Sequence, residues 1–343
     1  MQILIWGGVL LVSLFLIVKS ADYFTEYSEK LGIALGLSSF IIGASIVAIG
    51  TSLPELVSSL FAVLDAGATE FVTDNIIGSN IANALLILGI GALFAKKSTL
   101  AVETSLISVD LPFFFASMAL FAYFLIDKNI TFFEGIFLLI FFLVFLVYTI
   151  KSQSKETEEE DKEEMQDLED KFQKEEGITK RMVSKTKNIF THHEVPYAKY
   201  ILIILLSMGS LAFSAKYLIE SLMNLSSVLG VSSSLLTVTI VAVGTSLPEV
   251  LTSVAAIRRG NHGIALGNVF GSNTFNLLLV GGLPALFSTL TVSDLTYLVG
   301  LPYLVVATFI AIFVTFDNKV VRWEGVSLLF LYLVFIAKVV GII

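Results

Sequence analysis

Gly50-Thr51-Ser52-Leu53-Pro54-Glu55 lies midway along an apolar stretch, Ser39 to Leu64, that is otherwise fit to cross a bilayer. Pro54 has no N–H to give the carbonyl of Gly50, and its ring crowds that carbonyl, so a kink or break is expected there. Glu55 in hydrocarbon costs about 2.5 kcal/mol or more on insertion scales, so it must face protein, water or a cation. Six residues thus place a freed carbonyl, two hydroxyls and a carboxylate at one depth. The same six residues return 194 positions later as Gly244-Thr245-Ser246-Leu247-Pro248-Glu249.

Leu35–Glu55 and Leu229–Glu249 agree at 13 of 21 positions. A second pair follows: Asn75, Gly78, Ser79, Asn80 and Asn83 recur as Asn268, Gly271, Ser272, Asn273 and Asn276, 193 apart. Fainter echoes are Asp127 with Glu134-Gly135 against Asp317 with Glu324-Gly325. A period of this kind is read before any single element. The chain is one unit written twice.

Composition sets the medium. The 343 residues are 56% hydrophobic with a mean hydropathy of +0.88, above the roughly 45–50% apolar content of soluble domains. Several runs reach the roughly 20 residues that span hydrocarbon. Absence of cysteine removes disulfide, thiol and thiolate-metal chemistry. His192 and His193 fall in a polar segment and His262 in a short loop, which argues against a buried imidazole metal site. The net charge of −8 gives no reason to expect a nucleic-acid partner. The apolar run Ile3–Val18 lacks a basic leader and a small-residue cleavage site, and reads as a retained first span.

The expected fold is an all-α polytopic membrane protein of ten spans. They run over roughly 3–29, 37–64, 72–95, 105–126, 131–150, 198–223, 232–257, 263–288, 294–316 and 320–341. Five precede and five follow a polar segment, 151–197. An odd number of crossings per half sends the second copy in from the opposite face, giving two inverted-topology repeats with broken helices at mid-membrane. The divisions are a first repeat 1–150 with motifs in 35–89, a charged linker 151–197, and a second repeat 198–343 with motifs in 229–282.

Short-loop cations set the orientation. With the N-terminus outside, the inner loops hold Lys30, Lys96, Lys97, Arg258, Arg259, Lys319 and Arg322, and the outer side holds Lys128 and Lys338. Both termini then lie outside and 151–197 is cytoplasmic, with the cell membrane the expected location. Within that linker Lys155–Glu176 carries 12 acidic residues and four lysines, and Thr179–Asn188 is purely basic. Met165, Leu168 and Phe172 fit a helix over Glu156–Phe172. The segment reads as a solvated linker whose basic end rests on anionic headgroups.

The donor types define the ligand. Glu55 and Glu249 are carboxylates, Thr51, Ser52, Thr245, Ser246, Ser79 and Ser272 are hydroxyls, and Asn75, Asn83, Asn268 and Asn276 offer amide oxygens. An all-oxygen set suits Ca²⁺, Na⁺ or Mg²⁺ and disfavours copper or zinc. Two carboxylates balance one divalent ion, and their repulsion penalises the unloaded site. Asp22, Glu26, Glu29, Lys216 and Glu220 read instead as interfacial charges, and glycines 78, 89 and 91 as packing residues.

These doubled motifs resemble the alpha-repeats of the sodium/calcium exchangers of the calcium/cation antiporter superfamily. The resemblance covers both halves and all ten spans. It implies an ion cluster between spans 2, 3, 7 and 8, and alternating access by sliding of spans 1 and 6. It further implies that Glu55 and Glu249 bind Ca²⁺ with the backbone carbonyls of Thr51 and Thr245. Na⁺ would use the same glutamates with Ser52, Ser79, Ser246, Ser272 and the carbonyls of Ala48 and Ala242, and Asn83 and Asn276 would line the middle. Some relatives carry aspartate at the position of Asn276, a residue linked to potassium co-transport or protonation, so asparagine argues for K⁺ independence. The large regulatory domains of animal exchangers have no counterpart in 151–197.

The resulting expectation is a secondary antiporter, not an enzyme, that moves Ca²⁺ against Na⁺ as a monomer in a lipid membrane, with no cofactor. A proton-driven antiporter on the same scaffold is the nearest alternative, and the four serines favour Na⁺. A channel would want a continuous pore, usually from oligomeric symmetry. An intramembrane enzyme would want a second acid, His or Lys beside a nucleophile.

Overall fold

The computed structural model describes residues 2–35, 37, 39–64, 68–95, 99–102, 111–149, 151, 196–229 and 246–343. Lys96, Lys97, His192, His193, Ala242, Gly244, Thr245 and almost all of the linker, including Glu156–Phe172, lie outside the described residues.

The elements are α1 (Gln2–Ala34), α2 (Ser39–Ile42), α3 (Ala48–Leu64), α4 (Thr69–Ile81), α5 (Leu88–Phe94), β1 (Thr99–Ala101), α6 (Leu111–Phe124), β2 (Asn129–Ile130), α7 (Phe132–Thr149), α8 (Tyr197–Leu229), α9 (Leu247–Arg259), α10 (His262–Phe275), α11 (Gly281–Ala285), β3 (Leu290–Thr291), α12 (Leu301–Thr315), β4 (Lys319–Val321) and α13 (Arg322–Val339). Among the described residues, helix falls on each of the ten expected spans. Seven stretches among the described residues are long and apolar enough to cross a membrane. The third span of each half forms the centre: 78% of the Thr69–Phe94 window and 94% of the His262–Ala285 window are buried, against 18% for α1. Outer helices present Leu4, Leu11, Phe15, Phe137 and Leu206 on their surfaces, an apolar exposure that suits lipid.

The short strands locate the chain ends of the helices. Antiparallel pairing joins β1 to β4 and β2 to β3. By the internal repeat β1 corresponds to β3 and β2 to β4, so the two pairings exchange under a twofold relation between the halves. One end of the molecule gathers β1, β4, residues 26–35 and 258–262. There the Ala101 amide donates to His262 Nδ1 at 3.0 Å, Tyr197 Oη to the Ala34 carbonyl at 3.2 Å, and Arg259 to Glu26 at 2.9 Å. The other end gathers β2, β3 and residues 69–74. Thr73 donates to the Thr291 carbonyl at 2.6 Å, and Lys128 pairs with Asp294 at 2.7 Å. That hydrogen-bonded contact lowers the Asp294 carboxyl and raises the Lys128 ammonium, so both stay charged through neutral pH. α3 therefore runs away from the first end and α9 runs toward it. The motif helices are antiparallel, as inverted repeats require.

Glycine sets the closest crossings. A Cβ on Gly325 would lie 2.7 Å from Ala92 Cβ and 2.9 Å from the Gly89 carbonyl. Its counterpart Gly135 would meet Ala285 Cβ and the Gly282 carbonyl at 2.8 Å. Each tenth- and fifth-span helix thus crosses a third-span helix of the opposite half, small residue on small residue. Glu134 and Glu324 cap their own helices, accepting the Thr131 amide at 2.7 Å and the Val321 amide at 2.8 Å.

The expected irregularities take particular forms. α3 continues through Pro54, and the departure from α geometry lies just upstream, in a π-helical stretch Gly43–Val47. Pro54 still withholds an N–H from the Gly50 carbonyl. In the second motif Pro248 occupies the first turn of α9, where a missing N–H has no intrahelical partner to lose. Further π stretches follow α4 at Ala82–Ile87 and α10 at Asn276–Val280.

Candidate functional site

α3, α4, α9 and α10 meet at the two motifs. Thr51 and Glu55 are four apart on α3, one face of the helix. Ser246 is the N-cap residue of α9, and Glu249 stands in its first turn, where a carboxylate suits the positive helix end. Ser79 is on α4 and Ser272 on α10, each one turn before Asn83 and Asn276, which sit at the head of the π stretches. A π stretch adds a residue to the turn and recurs at functional sites. Glu55 is 2% exposed and Glu249 0%; Thr51, Ser52, Ser79, Ser246, Ser272, Asn83, Asn276 and Ala48 are likewise buried.

Contacts join the halves. Ser52 Oγ donates to Glu249 Oε1 at 3.0 Å, and the hydroxyls of Ser79 and Ser246 are 3.0 Å apart. Asn276 Nδ2 donates to Ser79 Oγ at 3.4 Å. Thr51 Oγ1 lies 3.1 Å from Asn268 Oδ1, which also accepts from Ser272 at 3.3 Å. Asn268 Nδ2 donates to Ser253 Oγ at 2.9 Å and to the Glu249 carbonyl at 3.2 Å. Both carboxylate oxygens of Glu55, Oε2 of Glu249, the Asn83 amide group and Asn276 Oδ1 are buried without a hydrogen-bond partner among the described residues.

Buried acceptors without donors are expensive, and two carboxylates far more so, unless a cation supplies the missing charge. No cluster of three or more His, Asp or Glu that could hold a metal occurs among the described residues. Thr245 and Ala242 lie outside the described residues. Glu26 pairs with Lys30 at 2.6 Å and Arg259 at 2.9 Å.

Several polar residues here escape the sequence reading. Ser59 and Ser253 follow each motif glutamate by four positions, a duplicated signal legible at the 194-residue offset but weak beside the motif itself. Asn80 and Asn273, visible only as the ends of Gly-Ser-Asn, are fully buried, and their amides have no partner among the described residues.

Buried oxygen donors from two inverted halves, meeting between apolar helices, define a secondary transporter of cations. The family model for sodium/calcium exchanger proteins matches residues 5–151 and 199–341, and the chain belongs to that family. It is 33% identical over 341 residues to the sodium/calcium exchanger MaX1 of Methanosarcina acetivorans, covering 96% of each chain. It is 29% identical over 290 residues to the inner membrane protein YrbG of Escherichia coli, covering 84% of this chain and 82% of that one. The solved structure of the sodium-calcium exchanger NCX_Mj soaked with zero Na⁺ and Ca²⁺ superposes with a TM-score of 0.77 at 26% identity. That match covers 98% of this chain and 99% of the other.

Proposed function

We propose that the chain exchanges Na⁺ for Ca²⁺ across the cell membrane by alternating access, as a monomer and without need of K⁺. The observation that carries this reading is the cross-half contact of Ser52 with Glu249 beside the carboxylate of Glu55, which has no partner among the described residues. One buried carboxylate from each half matches the charge of one Ca²⁺, and neutral oxygens around the pair suit Na⁺.

In this reading Glu55 and Glu249 bind Ca²⁺ with the carbonyls of Thr51 and Thr245. Na⁺ takes the glutamates with Ser52, Ser79, Ser246, Ser272 and the carbonyls of Ala48 and Ala242, while Asn83 and Asn276 line the centre. K⁺ independence is supported by Asn276, which adds no third carboxylate. Residues 1–150 and 198–343 act as the two repeats, and 151–197 joins them in the cytoplasm. That orientation is supported by Lys30, Arg258, Arg259, Lys319 and Arg322, which are grouped at the molecular end of β1 and β4. Both termini then face outward. A single chain supplies both halves of the site, which supports a monomer.

The test is uptake of radioactive Ca²⁺ into proteoliposomes under Na⁺, K⁺ or H⁺ gradients. Uptake driven by Na⁺ alone is expected. Full replacement of Na⁺ by a pH gradient would transfer the reading to a proton-driven antiporter.

A further inference from the structure

The internal repeat maps Ser59 onto Ser253, Glu55 onto Glu249 and Asn75 onto Asn268. Equivalent residues would be expected to make equivalent bonds, and these do not. On α9 and α10 the amide of Asn268 spends both hydrogens, one on Ser253 Oγ at 2.9 Å and one on the Glu249 carbonyl at 3.2 Å. On α3 and α4 Asn75 Nδ2 and Ser59 Oγ are buried without a partner among the described residues. Asn268 is 0% exposed and Asn75 7%.

Placement gives the asymmetry a direction. Asn268 stands about two turns from His262 and Ser253 about two turns from Arg259, at the end of the molecule with β1 and β4. Asn75 and Ser59 stand toward the opposite end, near Thr69 and Leu64. Each pair lies one turn beyond its glutamate, so the ion site is flanked by two like pairs, one bonded and one not. An idle pair of buried polar groups carries a standing penalty, and fold stability alone gives no reason to keep one.

We propose that Asn268–Ser253 and Asn75–Ser59 are two equivalent latches, closed alternately, that seal the ion site toward one face at a time. In the present state the Asn268 latch ties α10 to α9 at the Glu249 carbonyl and closes the path to the β1–β4 end. The Asn75 latch is released, so no such bond holds α4 to α3 on the side of the β2–β3 end. On the opposite half-cycle Asn75 Nδ2 donates to Ser59 Oγ and the Glu55 carbonyl, while Asn268 lets go. The four residues act as positioning residues, and the inference rests on the exchanger reading above.

The test compares Ser253→Ala with Ser59→Ala in the full chain, reconstituted in proteoliposomes, with apparent KM for Ca²⁺ measured from each face. Loss of one hydrogen bond should move the ratio of the two KM values by about fivefold. Ser253→Ala should lower KM at the β1–β4 face relative to the other, and Ser59→Ala should shift the ratio the opposite way. Ser253→Thr, which keeps the hydroxyl, should track the unaltered chain. Parallel shifts at both faces, or none, would overturn the latches. A second readout needs no transport: hydrogen exchange should quicken at amides 249–253 in Ser253→Ala and leave 55–59 unchanged, and equal protection in both would likewise overturn them. Lack of Na⁺-driven flux in the unaltered chain would instead overturn the exchanger reading.

Discussion

Ser52 Oγ donates a 3.0 Å hydrogen bond to Oε1 of Glu249, a residue of the opposite half and 197 positions away. Glu55, the symmetry mate of that glutamate, has both oxygens buried without a partner among the described residues. The first half therefore gives the second a neutral donor and keeps its own charge uncommitted. On the proposed reading such an arrangement holds the pair of carboxylates ready for a cation and stabilises the cation-free state poorly.

Glu55→Gln and Glu249→Gln should each reduce Ca²⁺ flux by at least about 100-fold, since removing one of two carboxylates that balance a divalent ion in a dry site costs about 3 kcal/mol or more, and each step of roughly 1.4 kcal/mol is a factor of ten. Neutral Gln is cheaper to bury, so ion-free melting temperature should hold or rise. Flux near that of the unaltered chain in either variant would remove the carboxylate pair from the mechanism.

Alanine at Ser52, Ser79, Ser246 or Ser272 should weaken the Na⁺ dependence of exchange by several-fold and change Ca²⁺ affinity less. A hydroxyl is one neutral oxygen, which matters most to a monovalent ion that needs ligands but little charge. The check is Ca²⁺ binding without Na⁺ against the Na⁺ concentration for half-maximal exchange. Equal losses for both ions would assign the serines to holding helix geometry.

Much of this was legible before any coordinates. Repeat, span count and inversion follow from identical residues at a fixed offset and from apolar run lengths, which the bilayer makes decisive. The antiparallel course of α3 and α9 and the crossed pairing of β1 with β4 and β2 with β3 agree with that reading. Less legible was how the backbone accommodates the motif. Pro54 sits inside a continuing helix while the π stretch falls at Gly43–Val47, because hydrogen-bond register responds to tertiary packing as well as to proline. Likewise Ser59 and Ser253 are ordinary serines in sequence, and only the bond from Asn268 to one of them separates the two.

Glycine substitutions should divide by what surrounds them. Gly325→Val places atoms where Cβ alone would approach Ala92 Cβ to 2.7 Å, and should cost about 1–3 kcal/mol with a clear fall in detergent melting temperature. A Cβ on Gly78 meets nothing within 4 Å, so Gly78→Ala should be neutral or stabilising by up to about 1 kcal/mol. Equal destabilisation at both positions would refute the small-on-small account of the α13 crossing.

Replacing Lys155–Glu176 with a flexible linker of equal length should leave exchange within about twofold, since the acidic run supplies no residue to either repeat and a flexible connection of this length costs little extra entropy. Flux lost with membrane insertion intact would make the segment a regulator.

Asn276→Asp should change which monovalent cation the exchange senses. Asn276 Nδ2 donates to Ser79 Oγ at 3.4 Å and its Oδ1 has no partner among the described residues, so the side chain borders the serine cluster. Aspartate there gives up the donated bond and adds a third negative charge. On the proposed reading one Ca²⁺ balances Glu55 and Glu249, and the remaining charge draws in one more monovalent cation or a proton, because an uncompensated buried carboxylate is strongly disfavoured. Flux through Asn276→Asp should therefore acquire a dependence on K⁺ or on pH that the unaltered chain lacks, read as uptake rates at fixed Na⁺ while each is varied. A response to neither would place position 276 outside the charge balance of the transported ions and withdraw the argument for K⁺ independence that rests on it.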